Sequence, residues 1–133
     1  MNPIEALADG IMHHEGWTPG SHSNRNRNPG NLRPFNPSQA EDASGFRVFT
    51  SLVDGYQALL NDLYAKFKGS HGLSAQSTLL DLLSVYAPPA ENNTLDYALD
   101  VAWWMSKALQ RIIDPASKLS EIAPAEFPPQ GKP

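Results

Sequence analysis

The sequence predicts a mainly α fold (α+β) with a small β-hairpin inserted after the first helix. Apolar residues recur at three- and four-residue spacing in capped stretches. That rhythm disappears from Gly16 to Ala40, where Pro19, Gly20, Pro29, Gly30, Pro34 and Pro37 argue against helix. Two short runs, Asn31 to Phe35 and Phe46 to Phe49, flank the polar stretch Asn36 to Gly45 and read as paired strands.

The elements follow in order. Asn2, Pro3 and Glu5 combine an N-cap, a first-turn proline and a capping-box acid, and Ile4, Leu7, Ala8, Ile11 and Met12 give the helix an apolar face up to Gly16. Ser51 caps a second helix, with Asp54 at its third position and a stripe of Val53, Tyr56, Leu59, Leu60, Leu63, Tyr64 and Phe67 ending at Gly69. Thr78 to Tyr86 reads as a shorter helix stopped by Pro88 and Pro89, with Leu79, Leu82, Leu83 and Tyr86 on one side. A fourth begins near Asn93 or Thr94 and carries Leu95, Ala98, Ala102, Met105, Leu109 and Ile112. Asp114-Pro115 opens a short last helix to about Ile122, and the Pro-rich tail from about residue 123 reads as an extended strap or a disordered end.

Composition bounds the function. The 133 residues fit one domain, 1–133, and 41% apolar with 18% charged residues is a globular balance. With no cysteine there is no disulfide framework, thiol catalysis or thiolate metal site. No apolar run approaches the roughly 18 residues of a membrane span. Residues 1–15 contain Glu5, Asp9 and Glu15 and lack a basic start, unlike a signal peptide. The net charge of -4 argues against a nucleic-acid binder, but it is uneven. Residues 1–15 carry -3, residues 16–40 carry +3 from Arg25, Arg27 and Arg33, and the remainder carries -4.

Glu15 lies four residues after Ile11 and three after Met12, so it continues the apolar face of the first helix. Beside Gly16 it is placed to look into a cleft between helix and hairpin. A protonated carboxyl there is what a glycosidase needs to protonate a leaving oxygen, while an ion pair with a downstream arginine is the plain alternative. Asn31 and Arg33, if on one strand, share a face suited to sugar hydroxyls and carboxylates. Tyr86 suits a sugar-stacking platform or a core position. Glu91 and Asn92, just before a helix start, are second-rank groove residues. His13, His14 and His22 lack the i, i+4 histidine pair of a helical metal site, so no metal or other cofactor is expected. Of Trp103 and Trp104, adjacent on one helix, only one can be deeply buried.

These residues carry a resemblance. The blocks His14-Glu15-Gly16, Asn26 to Arg33, Phe49-Thr50-Ser51, Asp54-Gly55-Tyr56, Tyr86-Ala87-Pro88 and Glu91 to Thr94 with Tyr97 are similar to those of small phage and prophage muramidases of the lysozyme-like superfamily. The similarity covers roughly residues 11 to 105. It implies a lysozyme-like fold and a peptidoglycan-degrading glycosidase, an endolysin that cleaves the β-1,4 bond between N-acetylmuramic acid and N-acetylglucosamine, with Glu15 as general acid and no cofactor. The partners implied are glycan strands, with no nucleic acid and no membrane insertion, and the chain acts as a monomer. Synthesis in the cytoplasm, then release to the bacterial wall or carriage in a virion, fits this picture.

The best-known phage lysozymes carry an aspartate where this chain has Asn24, and no acid occurs from Gly16 to Ala40. Asp42, Glu41 and Asp54 are therefore the candidates for a second carboxylate. Two alternatives stay open. Lytic transglycosylases of the same superfamily use one glutamate and leave a 1,6-anhydro end, and a catalytically silent glycan-binding or phage structural module would keep the groove alone.

Overall fold

A computed structural model of the chain describes residues 1–129, and among them α-helix dominates. Helix α1 (Pro3–His14) starts as its capping box requires: Asn2 Oδ1 accepts from the Glu5 amide at 2.8 Å and Glu5 Oε1 accepts from the Asn2 amide at 2.9 Å. Its buried face, Ile4, Leu7, Ala8 and Ile11, packs chiefly on α5 (Thr94–Leu109) and also on α3 (Leu52–Phe67). At Gly10 the helices approach so closely that a Cβ would stand 3.2 Å from Val101 Cγ1. Helix α4 (Leu79–Tyr86), capped reciprocally by Thr78 and Asp81, lays Leu79, Leu82 and Leu83 against α5. The short α6 (Leu119–Ile122) closes the core with Leu119 and Ile122, and a single antiparallel bridge joins Thr78 to Lys118. No helix among the described residues is long and apolar enough to cross a membrane.

The expected hairpin does not form as a ladder. Arg47 N does reach Leu32 O at 2.8 Å, but Val48 N turns to Ala40 O and Phe49 N to Asn26 O, both at 2.8 Å. Within this segment one antiparallel bridge forms, Glu41 with Arg47. Pro34 and Pro37 lack amides, Asn31 is left-handed at φ 48°, and Asp42 Oδ1 accepts the Ser44 and Phe46 amides, so no run of donors is left to pair. The segment 26–50 is a folded loop.

Other departures are local. A four-residue helix α2 (His22–Arg25) interrupts the stretch read as non-helical, because Ser21 Oγ caps it by accepting from Asn24 N at 3.3 Å. Val53 is 77% exposed, since it lies a turn before α3 meets the core. Leu95 is exposed too, and the buried face of α5 runs instead through Tyr97, Ala98, Val101, Ala102 and Met105. Gln110, left-handed at φ 54°, ends α5 before Ile112, which is 89% exposed. Asp114-Pro115 opens a turn and not a helix: Asp114 Oδ1 accepts from Ala116 N at 2.7 Å, and α6 waits until Leu119. In the tail expected to be extended, Pro124–Glu126 forms one 3₁₀ turn and Phe127 packs near Phe67, with ring centroids 6.1 Å apart, while residues 130–133 of that tail lie outside the described residues.

Two members of one sequence stripe thus have different fates. Leu63→Ala, in the core, is expected to cost about 2 to 5 kcal/mol of unfolding free energy, and Val53→Ala less than about 0.5 kcal/mol, by urea denaturation. Similar losses would contradict the burial pattern.

Candidate active site

Helix α1 ends on Glu15, whose amide still donates to Ile11 O at 2.9 Å. Gly16 then turns the chain at φ 77°, a conformation that favours glycine. The Glu15 carboxyl is gripped from two sides: Asn31 Nδ2 donates to Oε1 at 2.9 Å and the Tyr97 hydroxyl donates to Oε2 at 2.7 Å. These donors come from the loop and from α5, so the acid's orientation depends on both.

The loop delivers Asn31 through a local polar core. Asn28 is fully buried, and its side chain accepts from Leu32 N and donates to Leu32 O and to Arg47 O, each at 2.9 Å. Pro29 and Gly30 complete the turn, and Asn31 N donates to Asn28 O at 3.0 Å. The left-handed φ of Asn31 is one that asparagine tolerates better than most side chains. Gly30 is required by proximity: its carbonyl accepts from the Tyr86 hydroxyl, and a Cβ would press on that hydroxyl and stand 2.8 Å from Leu59 Cδ1.

Behind Glu15, the Tyr97 ring lies 3.9 Å from the His14 ring, and His14 Nδ1 is 2.7 Å from Asp100 Oδ2. Burial, then the neighbouring Tyr86 and Glu15, pushes the Tyr97 hydroxyl far above the ordinary tyrosine value. Burial, then the charges of Glu15 and Asp62, does the same to Tyr86. Both phenols therefore keep their protons at neutral pH and serve as donors.

Glu15 opens into a groove of about 540 Å³ that is also lined by Asn31, Arg33, Tyr86, Glu91 and Asn92. Every residue read from the sequence as a sugar contact reaches this one groove. Arg33 lies over the Phe46 ring at 4.3 Å and pairs loosely with Glu91 at 3.9 Å, tying the loop to the α4–α5 turn. The groove is also lined by Asp62 and Lys66 of α3 and by His71, none of them a candidate from the sequence. Lys66 is only 4% exposed and donates to Asp62 Oδ2 at 2.8 Å. Their i, i+4 spacing beside Leu59 and Leu63 was the available signal. Tyr97, the second holder of Glu15, belonged to a recognised block but had been given no role.

The three acids considered as a second carboxylate lie elsewhere. Glu41 pairs in the bridge with Arg47, and Asp54 accepts from Thr50 Oγ1 at 3.2 Å. Asp54 lines a larger concavity of about 820 Å³, which lacks Glu15 and shares Leu32, Arg33, Phe35 and Asp62 with the groove. Volume alone does not select the site, and the convergence of polar groups favours the smaller one. Asp42 accepts from Asn26 Nδ2 at 2.9 Å, from the Phe46 and Ser44 amides, and contacts His22 Nε2. Among the described residues no cluster of three His, Asp or Glu is arranged to hold a metal. In comparisons with protein-family models, curated proteins and solved structures, the chain matches none.

Two tests address this framework. Asn28→Ala leaves Leu32 N and Arg47 O without their partner, Leu32 O keeping Arg47 N, and is expected to cost about 2 to 4 kcal/mol, with faster amide exchange at Leu32. The Asn26 amide, followed by the Phe46 N–H, holds the Asp42 carboxyl well below its ordinary value of 3.8. A carboxyl lowered in the folded state stabilises the fold fully above that ordinary value and loses the contribution as pH falls beneath it. The thermal midpoint of the wild type should therefore fall more steeply than that of Asp42→Asn between about pH 4 and pH 2. Parallel curves would remove Asp42 from this role.

Proposed function

We propose that the chain is a lysozyme-like muramidase that cleaves the β-1,4 bond between N-acetylmuramic acid and N-acetylglucosamine in peptidoglycan, with Glu15 as general acid. The observation that carries the reading is the grip on Glu15 by Asn31 and Tyr97 at the wall of a groove lined by an amide, a guanidinium and a tyrosine. Such a set suits a glycan strand: Tyr86 and Phe46 offer apolar faces, Asn31 and Asn92 serve hydroxyls and acetamides, and Arg33 meets lactyl or peptide carboxylates. Asn31 Oδ1 is a buried acceptor with no partner among the described residues, and a substrate N–H or O–H would complete it.

In the reaction, Glu15 gives its proton to the glycosidic oxygen as the C1–O bond breaks and positive charge spreads over the sugar ring. Tyr97 and Asn31, one on each oxygen, fix the plane of the Glu15 carboxyl. Since both stay in place throughout, they act as positioning residues and lower the cost of orienting the acid.

Purified peptidoglycan incubated with the wild type and with Glu15→Gln tests the assignment, with released muropeptides weighed by mass spectrometry. The wild type should release fragments with reducing ends, and Glu15→Gln should be about 100-fold slower or worse. Equal release by both would remove Glu15 as the acid, and products lighter by one water would mean transglycosylation. Sedimentation with glycan but no release by either protein would mean a binding module. Tyr97→Phe is expected to lower kcat about tenfold with little change in KM, as steady-state kinetics would show.

A further inference from the structure

Within this muramidase reading, on which the inference rests, we propose that Asp62 of α3, held by Lys66, is the base that takes a proton from the attacking water. The acids considered in the segment after α1 do not line the groove, whereas Asp62 does, on its α3 side. The two carboxyls are joined through a chain of contacts with Tyr86 between them. Asn31 holds Glu15, the adjacent Gly30 carbonyl accepts from the Tyr86 hydroxyl, the Tyr86 ring lies 5.6 Å from Lys66 Nζ, and Lys66 holds Asp62 at 2.8 Å. Burial first, then the charges of Glu15 and Asp62, raise the Tyr86 hydroxyl, in keeping with both acids lying near it. A single displacement needs two carboxyls that open on one cleft with water admitted between them, and Glu15 and Asp62 both line this groove.

Lys66 positions the base. Its buried ammonium donates to one oxygen of an Asp62 carboxylate that is about one-third exposed, which fixes the carboxylate and leaves it open to the groove. Asp62 also borders the adjoining concavity, which Glu15 does not line and which offers water a route to the Asp62 carboxylate. In the step, Glu15 protonates the leaving oxygen, water oxygen bonds to C1 as the C1–O bond breaks, and Asp62 takes the water proton. Both groups then return to their starting states by exchange with solvent.

Asp62→Asn alone strands a buried ammonium, so the test pairs it with Lys66→Met, which removes both charges together. Full-length wild type, Asp62→Asn/Lys66→Met and Glu15→Gln are assayed on purified peptidoglycan, with folding followed by thermal melting and glycan binding by sedimentation. If the base assignment holds, the double variant melts cooperatively and binds glycan, yet releases reducing ends at least about 100-fold more slowly. Sodium azide, a nucleophile that needs no base, should restore its cleavage and yield the α-glycosyl azide. Wild-type NMR at early times should show the α-anomer at the new reducing end. The assignment is overturned by double-variant activity within about twofold of wild type, by loss without azide rescue, or by a retained β-anomer. A wild type that releases reducing ends dependent on Glu15, alongside any of those results, would sink the Asp62 assignment and leave the muramidase reading standing. A wild type that releases nothing, or only 1,6-anhydro ends, overturns Asp62 at the level of the reading itself.

Discussion

The fully buried amide of Asn28 is the interaction on which the rest of the site depends. Three hydrogen bonds from one side chain close the backbone around Leu32 and fasten it to Arg47, so that a segment with little apolar content takes one shape. Burying an amide is costly unless its groups are paired, and here all of them are. Because Asn28 fixes Leu32, it also fixes Asn31 and Arg33, one holding Glu15 and the other stacked on Phe46. A second polar cluster around Asp42 and Asn26 secures the far side of the same loop. The loop is thus ordered by amide and carboxylate hydrogen bonds where a hairpin would have used a backbone ladder.

The helical part supplies the opposite resource, a rigid apolar frame. Close packing of α1 on α5 at Gly10 and Val101 brings Glu15, at the end of one helix, to Tyr97 on the other. The acid is therefore held between a frame stabilised by hydrocarbon burial and a loop stabilised by polar bonds. This division places groove chemistry at the seam, where side chains from both can meet a ligand.

The charge pattern takes on a narrower meaning in this setting. Of the three arginines in the acid-free segment, Arg33 lines the groove, whereas Arg25 reaches the Gly20 carbonyl and Arg27 places its own carbonyl against Gly55. The second cation of the groove, Lys66, comes from α3 and is matched by Asp62. Local sign at the groove is set by ion pairs, Arg33 with Glu91 across elements and Lys66 with Asp62 within α3, and the positive total of residues 16–40 describes it poorly.

Legibility followed the range of the interactions. Caps and stripes are short-range, so the starts of α1 and α3 could be read from the caps Asn2 and Ser51, and those of α4 and α5 to within a residue, near Thr78 and at Asn93 or Thr94. Ile112 and Leu95 were misplaced because periodicity does not know where a partner helix ends, and the hairpin failed because apolar runs do not reveal that Asp42 and Asn26 compete for the amides. By itself the sequence determined a mainly helical chain, an acid at the end of its first helix, and a turn at Pro29-Gly30 after it, while assigning Asn31 and Arg33 to a strand that does not form. Only the tertiary structure decided that Tyr97 and Asn31 grip that acid, that Glu41, Asp42 and Asp54 lie away from it, and that Asp62 and Lys66 face the groove. The physical reason is that these contacts join residues far apart in the chain, through hydrogen bonds and ion pairs whose geometry exists only once the apolar core has set the helices in place.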